Sequence, residues 1–336
     1  MEARSVDVVP RGPEWQYEPK WDGFRCLLSR QGRKVDLRSK ADEDLARYFP
    51  ELVAAALKLK TTTFSLDGEI VVPRGGTFSF DDLLQRIHPA ASRVNKLSQQ
   101  TPALFIAFDL LVTAKDKELS MQPLGKRRPA LETFAKVRFS SGSNFRLSPA
   151  TTSFATARKW LARSGGGSDG VIAKRLDLPY QSGNRDGMQK IKKFRSADCV
   201  VGGFRYATSK LNGRKVVGSL LLGLYDEEGL LNHVGFTSAI RHEQKPALTA
   251  KLETLIKDPG FTGNAPGGPS RWSRDRSAKW CPLQPKLVVE VCYDHFSSDR
   301  FRHGTSILRW RPDKAPKQCS FDQLKQKTAN PMKLLG

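Results

Sequence analysis

Short runs of apolar residues recur along the 336-residue chain, and several are followed by residues that are typical of turns. A run of four to eight residues indicates a strand when it is rich in β-branched and aromatic side chains and is bounded by glycine, proline or acidic residues. On this basis strands are predicted at residues 24–28, 34–37, 64–72, 104–111, 170–173, 200–204, 220–225 and 287–293.

Between these runs, apolar residues recur with the spacing of one helix face. Residues 42–59 are the clearest case, because their apolar positions fall near a period of 3.6 residues, and residues 153–164 and 244–256 show similar patterns. Strands and helices do not alternate regularly. The pattern therefore favours an α+β fold with mixed or antiparallel sheets over a doubly wound parallel sheet.

A lysine-rich segment, K-I-K-K at 190–193, precedes a change in this pattern. From Asp198 onwards the chain reads as strands with one helix, which is typical of a small β-barrel. A chain of this length commonly forms about two domains. We therefore predict one domain at residues 1–195 and a second, barrel-like domain at 196–336.

The chain is strongly basic, with 56 Lys and Arg against 34 Asp and Glu and a formal net charge of +22. The positive residues are spread along the whole sequence, so most of the surface is expected to attract polyanions. Nucleic acid is the first partner to consider, with an anionic membrane surface or a merely basic protein as alternatives. No apolar run is long enough to span a bilayer, and five scattered cysteines fit reduced thiols in a cytosol.

Several common site patterns are absent or out of context. Residues 165–170, G-G-G-S-D-G, match a dinucleotide fingerprint in letters, but a helical pattern precedes them and a strand-like one follows, which is the reverse of what that site needs. The sequence contains no phosphate-binding G-x-x-x-x-G-K-[ST] motif and no zinc-binding spacing of Cys or His. Dinucleotide, P-loop and zinc chemistry are therefore not expected.

Lys20 is the first candidate for chemistry. It lies between Pro19 and Trp21, and Asp22 and Gly23 follow. Bulky apolar neighbours are expected to lower the pKa of the ammonium, and a deprotonated lysine is a nucleophile. A solvated lysine at the start of a strand is the alternative. In a protein built to bind polyanions, a phosphorus centre is the natural electrophile.

Carboxylates and further lysines could complete such a site. The segments L-D-G-E at 66–69 and D-G at 169–170 place acids beside glycine near the ends of apolar runs, where carboxylates can hold Mg²⁺ beside phosphates. Lys190 and Lys192 share one face of a strand-like segment and could stabilise charge during phosphoryl transfer. Each feature alone also fits a turn or an exposed surface.

Taken in order, these segments resemble the covalent nucleotidyltransferase superfamily, which comprises ATP-dependent DNA ligases, RNA ligases and mRNA capping enzymes. K-W-D-G-F-R at 20–25 is similar to motif I, L-D-G-E-I at 66–70 to motif III, F-D-L-L at 108–111 to motif IIIa, D-G-V-I-A-K at 169–174 to motif IV, M-Q-K-I-K at 188–192 to motif V and R-W-R-P-D-K at 309–314 to motif VI. The segments at 285–291 and 301–314 are most like those of small bacterial stand-alone C-type ligases and end-joining D-type ligases.

The resemblance implies an adenylation domain followed by an OB-fold barrel, with ATP and Mg²⁺ or Mn²⁺ as cofactors. It implies that Lys20 attacks the α-phosphorus of ATP and carries AMP. The other implied roles are Glu18 near the adenine, Phe108 stacked on it, Trp21 and Lys174 in the nucleotide pocket, Arg25 near the ribose, Glu69 at the ribose or metal, Asp169 on the metal, Lys190 and Lys192 at the α-phosphate, and Arg309, Arg311, Asp313 and Lys314 at the leaving pyrophosphate.

Three positions depart from the family pattern. Asp169 stands where glutamate is usual, so the carboxylate is kept on a shorter side chain. Lys40 replaces an arginine that would contact DNA phosphate, so the charge is kept while the bidentate geometry is lost. Met188 stands where motif V usually begins with tryptophan. None of these changes removes a reactive group.

The sequence therefore predicts an ATP-dependent DNA ligase that acts in DNA repair or end joining. It would transfer AMP from Lys20 to the 5′-phosphate of a nick and join that phosphate to the 3′-hydroxyl. An RNA ligase, a GTP-dependent capping-type enzyme and a non-catalytic nucleic-acid-binding protein are the alternatives. The expected setting is a monomer on nicked duplex DNA in the bacterial cytosol, with a DNA-end-binding partner left open.

Overall fold

The computed structural model describes residues 1–267, 279–325 and 330–335. These residues form two compact units, one of residues 1–193 with 330–335 and one of residues 194–267 with 279–325. The predicted division lay at 195/196 and gave the whole C-terminal end to the second unit. The structure differs in this respect, because Met332, Leu334 and Leu335 pack against the apolar side chains of the first unit.

The first unit is built from two sheets with helices around them. Its strands are β1 (Arg4–Ser5), β2 (Trp15–Trp21), β3 (Phe24–Gln31), β4 (Lys34–Ser39), β5 (Thr63–Val71), β6 (Pro73–Arg74), β7 (Thr77–Phe78), β8 (Leu104–Val112), β9 (Phe145–Leu147), β10 (Ser168–Arg175) and β11 (Met188–Lys192). Its helices are α1 (Pro50–Lys58), α2 (Phe80–Gln85), α3 (Ala91–Gln100), α4 (Leu124–Arg138) and α5 (Phe154–Ala162).

A very short turn joins the two main sheets of this unit. One has the strand order β1-β11-β10-β2 and the other β4-β3-β5-β8-β9. Only Asp22 and Gly23 separate β2 from β3, so the chain passes from one sheet to the other just after Lys20. A Cβ on Gly23 would lie 2.1 Å from the carbonyl oxygen of Ile70, which leaves room for glycine alone.

Helix α1 begins later than its apolar spacing predicted. The expected helix spans 42–59, whereas the structure has a 3₁₀ turn at Ala46–Tyr48 and the helix only at Pro50–Lys58. Proline lacks an N–H and its ring clashes with the preceding turn, so it is tolerated at the start of a helix but not inside it. Pro50 therefore sets the N-terminus of α1.

No helix among the described residues is long and apolar enough to cross a membrane.

The second unit is the predicted small β-barrel. Its elements are β12 (Arg195–Tyr206), β13 (Val217–Tyr225), β14 (Leu231–Ala239), α6 (Lys245–Glu253), β15 (Cys281–Pro282), β16 (Val288–Tyr293), β17 (Phe296–Ser297), β18 (Arg300–Phe301) and β19 (Thr305–Trp310). The strands close in the order β12-β13-β14-β19-β16 and back to β12, around buried residues such as Val200, Leu222 and Val289. This is an OB-fold barrel. In both units, each strand predicted from the sequence is confirmed.

Candidate active site

Three neighbouring strands present a regular array of side chains on one face. Strand β10 pairs antiparallel with β2 on one side and β11 on the other, and alternate residues of a strand face the same way. The register places Lys20, Gly170 and Lys192 in one row, Glu18, Ile172 and Lys190 in the next, and Gln16, Lys174 and Met188 in a third. Motifs I, IV and V of the sequence therefore meet on this face.

The second sheet of the same unit supplies the opposite wall of a pocket. Arg25 from β3, Glu69 from β5 and Phe108 from β8 line it together with Glu18, Lys20, Lys174 and Lys190 of the array, and Ala3 lines it as well. The sequence reasoning named each of these residues except Ala3. The short turn between β2 and β3 explains the arrangement, since it joins the strand that carries Lys20 to the strand that carries Arg25.

Lys20 is held by an ion pair with Asp169. Its Nζ lies 2.8 Å from Oδ2 of Asp169, and the exposed fractions of the two side chains are 21% and 5%. Burial alone would lower the pKa of Lys20, but Asp169, Glu69 and Asp22 outweigh burial and the pKa is raised. The expectation that apolar neighbours lower this pKa is therefore wrong for the site without nucleotide.

The residue after Asp169 is a glycine that lies very close to the backbone of β11. A Cβ on Gly170 would lie 1.9 Å from the carbonyl oxygen of Ile191, and the φ angle of Gly170 is +156°. Both features exclude other residues at this position. The second D-G pair is thus a close approach between β10 and β11 and not a turn, which was the alternative reading.

Glu69 faces the same ammonium group from the second sheet. Its Oε1 accepts a hydrogen bond from the backbone N–H of Gly23 at 3.2 Å. Burial raises the pKa of Glu69 to about 8, although Lys20 and Arg25 act in the opposite direction. The acid lies two residues before the end of β5, within the strand predicted at 64–72. Asp169 and Glu69 offer the oxygen ligands that Mg²⁺ and Mn²⁺ take, so this donor set fits the expected metal.

Arg25 is fixed by a pairing that the sequence does not show. Its Nε and Nη2 donate to the two carboxylate oxygens of Asp67 at 3.1 and 2.7 Å. The hydroxyl of Tyr180 donates to Asp67 as well, at 2.8 Å. Tyr180 lies in the segment between β10 and β11, and no pattern in the sequence marks it. The guanidinium of Arg25 thus reaches the pocket already oriented.

Glu18 is buried and uses both carboxylate oxygens. Oε1 accepts from Nε2 of Gln16 and Oε2 accepts from Nζ of Lys174, each at 2.8 Å. The same Nζ lies 4.4 Å from the centre of the Phe108 ring. Directly after Phe108, Asp109 forms a bidentate ion pair with Arg127, both contacts being 2.9 Å. This buried pair holds β8 where Phe108 enters the pocket.

Two further residues predicted from the sequence, Lys190 and Trp21, also line the pocket. Lys190 lies at the pocket, and its pKa is lowered by partial burial and by neighbouring cations, first among them Lys192. Such mutual repulsion is typical of a site that receives an anion. Trp21 borders the pocket, but its indole is mainly core, because Nε1 donates to Oγ of Ser148 at 2.9 Å and the ring contacts Phe78.

Lys40 lies in a second basic group near Arg25. The carboxylate of Glu2 pairs with Lys40 at 3.1 Å and with Arg185 at 2.9 Å. One guanidinium nitrogen of Arg25 also donates to the carbonyl oxygen of Met1. Neither Glu2 nor Arg185 was identified from the sequence. Arg185 precedes β11 closely, so its place between motifs IV and V was the only available signal.

The motif VI residues lie in the second unit and are organised by Asp198. Asp198 on β12 accepts from Nη1 of Arg311 at 2.9 Å and from Nζ of Lys314 at 2.7 Å. Arg311 also pairs with Asp313, which lowers the pKa of that carboxyl to about 2. Arg309 pairs separately with Glu290 of β16, with its Nε 2.7 Å from Oε2 of the glutamate. Asp198 was not identified as a site residue, although it follows the predicted domain boundary.

Known protein families match both units. A family model described as "ATP dependent DNA ligase domain" matches residues 4–192, and one described as "ATP dependent DNA ligase C terminal region" matches residues 213–314. A solved structure of a Lig E DNA ligase superposes with a TM-score of 0.54 at 16% identity, over 92% of this chain and 100% of that chain. At that identity the superposition speaks for the fold alone.

Relatives of similar length are DNA ligases. DNA ligase C2 of Mycolicibacterium smegmatis is 45% identical over 96% of this chain and 93% of its own length, and DNA ligase C of Mycobacterium tuberculosis is 41% identical over 97% and 93%. The multifunctional non-homologous end joining protein LigD of Mycobacterium bovis is 30% identical over 92% of this chain, which spans 37% of that protein. These similarities favour DNA ligation over RNA ligation, capping and non-catalytic binding.

Proposed function

Because the chain belongs to the ATP-dependent DNA ligase family, we propose that it seals nicks in duplex DNA through an AMP group carried on Lys20. The observation that carries this proposal is the position of Lys20 in the pocket. Its ammonium faces Asp169 and Glu69, Lys192 lies in the same row of the array, and Lys190 lies in the next row. A nucleophile, carboxylates and cations for phosphate thus converge on one face.

The reaction proceeds by three transfers at phosphorus. Lys20 loses its proton, and its Nζ forms a bond to the α-phosphorus of ATP while the bond to the bridging oxygen breaks and pyrophosphate leaves with the electron pair. An oxygen of the DNA 5′-phosphate then forms a bond to the phosphorus of the lysine-bound AMP, while the bond from that phosphorus to Nζ of Lys20 breaks and the nitrogen keeps the electron pair. The 3′-hydroxyl finally attacks the 5′-phosphorus, forms the phosphodiester and releases AMP.

The residues around Lys20 have separate roles in this scheme. Asp169 and Glu69 would hold Mg²⁺ or Mn²⁺, which supplies charge neutralisation and Lewis acidity at the phosphate when it is bound. Lys190 and Lys192 stabilise the negative charge of the α-phosphate. A metal that engaged the Asp169 carboxylate would also take away one cause of the raised pKa of Lys20, so this pKa would fall towards the range in which the lysine can attack.

The nucleotide is bound between the two walls of the pocket. Phe108 stacks on the adenine, and Glu18 with Lys174 forms the polar floor that faces the base. Arg25, held by Asp67, contacts the ribose, and Trp21 supports the strand from its buried side. In the second unit, Arg309, Arg311, Asp313 and Lys314 orient the pyrophosphate.

DNA is the polyanion that the basic surface binds. Lys40 and Arg185 contact a DNA phosphate, and the net charge of +22 favours both duplex flanks with little dependence on base sequence. We propose that the protein works as a monomer in the bacterial cytosol, in nick repair or in the joining of broken ends. The similarity to LigD, a protein named for non-homologous end joining, supports the joining of broken ends, and a DNA-end-binding partner is part of this proposal.

A sealing assay tests this proposal. The protein is incubated with ATP, Mg²⁺ and a duplex that contains one nick with a 5′-phosphate, and the strands are separated under denaturing conditions. We expect a joined strand with ATP, none without it, and much less product when the nicked strand is RNA. Joining of RNA alone, or sealing that needs GTP, would favour the alternatives, and no joining at all would contradict the proposal.

A further inference from the structure

The third row of the array contains a residue that has no role in the scheme above. Gln16 lies on β2, two residues before Glu18 and on the same face, and only 4% of it is exposed. Its Nε2 donates to Oε1 of Glu18 at 2.8 Å. Lys174, opposite Gln16 in the sheet, donates to the other oxygen of the same carboxylate at 2.8 Å. Glu18 is therefore held between two donors.

We propose that Gln16 is a positioning residue that makes the pocket prefer adenine to guanine by fixing the order of Glu18 and Lys174. This inference rests on the proposed function, in which the base lies against these two side chains. Gln16 itself need not touch the nucleotide, because its amide nitrogen is engaged by Glu18.

The two purines differ in the order of their hydrogen-bonding groups. Adenine presents an amino donor at position 6 beside the acceptor N1, whereas guanine presents the acceptor O6 beside the donor N1–H. An ionised carboxylate only accepts and an ammonium group only donates. The pair Glu18–Lys174 therefore suits one purine when the carboxylate is on one side, and the other purine when the two groups exchange places.

Gln16 prevents this exchange. A buried carboxylate turns towards its donors, and with Lys174 as its sole partner the Glu18 side chain could follow the flexible lysine. The second donor comes from the backbone-anchored β2 strand and fixes Oε1 at the Gln16 side. A site whose buried polar groups are held in one order rejects the wrong ligand, because the wrong ligand leaves them unpaired.

The test compares Gln16→Leu with the wild-type protein in the formation of the labelled protein–nucleotide adduct. With α-labelled ATP and GTP, we expect kcat/KM for ATP relative to GTP to fall about tenfold, the usual effect of losing one hydrogen bond to a charged group. KM for ATP should carry most of the change, since the phosphate end of the site is untouched. Gln189→Leu is the matched control, because Gln189 is on β11 of the same sheet and faces the other way.

A second variant gives a readout that a merely structural role would not produce. In Gln16→Glu two carboxylates face each other, so the ATP preference should be lost at pH 8 and return at pH 6, where they can share one proton. If Gln16→Leu does not fold, the recovery of the ATP preference of Gln16→Glu at pH 6 is by itself the test of the role of Gln16. Sealing of nicks that already carry AMP needs no ATP and should stay within about threefold of wild type in both variants.

The outcomes separate this inference from the proposed function. A wild-type protein that forms no adduct contradicts the proposed function itself. A wild-type protein that forms the adduct, with an unchanged ATP-to-GTP ratio in Gln16→Leu and no return at pH 6 in Gln16→Glu, overturns only the role of Gln16.

Discussion

The ammonium nitrogen of Lys20 lies 2.8 Å from Oδ2 of Asp169, a residue 149 positions further along the chain. The contact keeps the lysine protonated, because Asp169 contributes to raising its pKa. A protonated lysine cannot attack phosphorus. The ion pair therefore keeps the nucleophile inactive, and a metal bound by Asp169 and Glu69 would withdraw these carboxylates from the lysine and so favour its deprotonation.

The first prediction concerns the acid that replaces the usual glutamate. Asp169→Asn should lower the rate of adduct formation at least about 100-fold, because the carboxylate that serves metal and lysine is lost. Asp169→Glu should keep the rate within about tenfold of wild type, since the carboxylate is retained. The rates are measured in a single turnover with labelled ATP. Asp177→Asn is the control, because it changes an exposed acid paired with Arg175, and it should have no effect. Equal losses of rate in Asp169→Asn and Asp169→Glu would contradict the metal role of Asp169.

A second prediction follows from the raised pKa of Glu69. The folded protein holds a proton on this carboxyl up to about pH 8, whereas the unfolded chain loses it near its ordinary value of 4.5. Between these values the folded state binds more protons, so its free energy of unfolding falls as the pH rises. In urea unfolding with a metal chelator, wild type should lose at least about 1 kcal/mol more than Glu69→Gln between pH 5 and pH 8. Parallel profiles would show that Glu69 is ionised throughout.

Asp198 provides a prediction for the second unit. Asp198→Asn should slow adduct formation about tenfold, because Arg311 and Lys314 lose the carboxylate that orients them. Sealing of nicks that already carry AMP should change much less, since no pyrophosphate leaves in that step. Asp322→Asn, which removes an exposed acid paired with Lys325 in the same unit, is the control. A loss confined to the sealing step would assign these residues to DNA and not to pyrophosphate.

The pairing of Glu2 with Lys40 and Arg185 gives a fourth prediction. If these cations bind a DNA phosphate, Glu2 competes with it, and Glu2→Gln should tighten binding to nicked duplex about two- to fivefold. Binding is measured by fluorescence anisotropy at fixed ionic strength. Glu43→Gln makes the same change of charge at an exposed position. An equal gain in affinity in both variants would show that the effect comes from net charge and not from the pairing of Glu2.

The strands and the residues of the array could be predicted because they depend on local sequence. Alternating side chains along a strand determine which residues share a face, so the short motif K-I-K was enough to place Lys190 and Lys192 together, whereas only the family resemblance added Lys20 to them. The resemblance to nucleotidyltransferases assigned these motifs to one site, and the register of the strands brings the motifs side by side.

The partners of these residues could not be predicted in the same way. Arg25 meets Asp67 across 42 positions and Glu2 meets Arg185 across 183, and such contacts depend on strand register and loop path, which periodicity does not contain. The same limit explains the wrong expectation for the Lys20 pKa. Its neighbours in sequence indicate burial, whereas the decisive charge of Asp169 comes from another strand.

The central claim is that Lys20 carries AMP, and mapping the adduct tests it most directly. The protein is incubated with ATP and Mg²⁺, digested, and its peptides are sequenced by tandem mass spectrometry under conditions that preserve phosphoramidates. The account predicts one AMP group, on the peptide that contains Lys20, and none on the corresponding peptide of Lys20→Arg. AMP on another residue, or an unchanged adduct in Lys20→Arg, would contradict it.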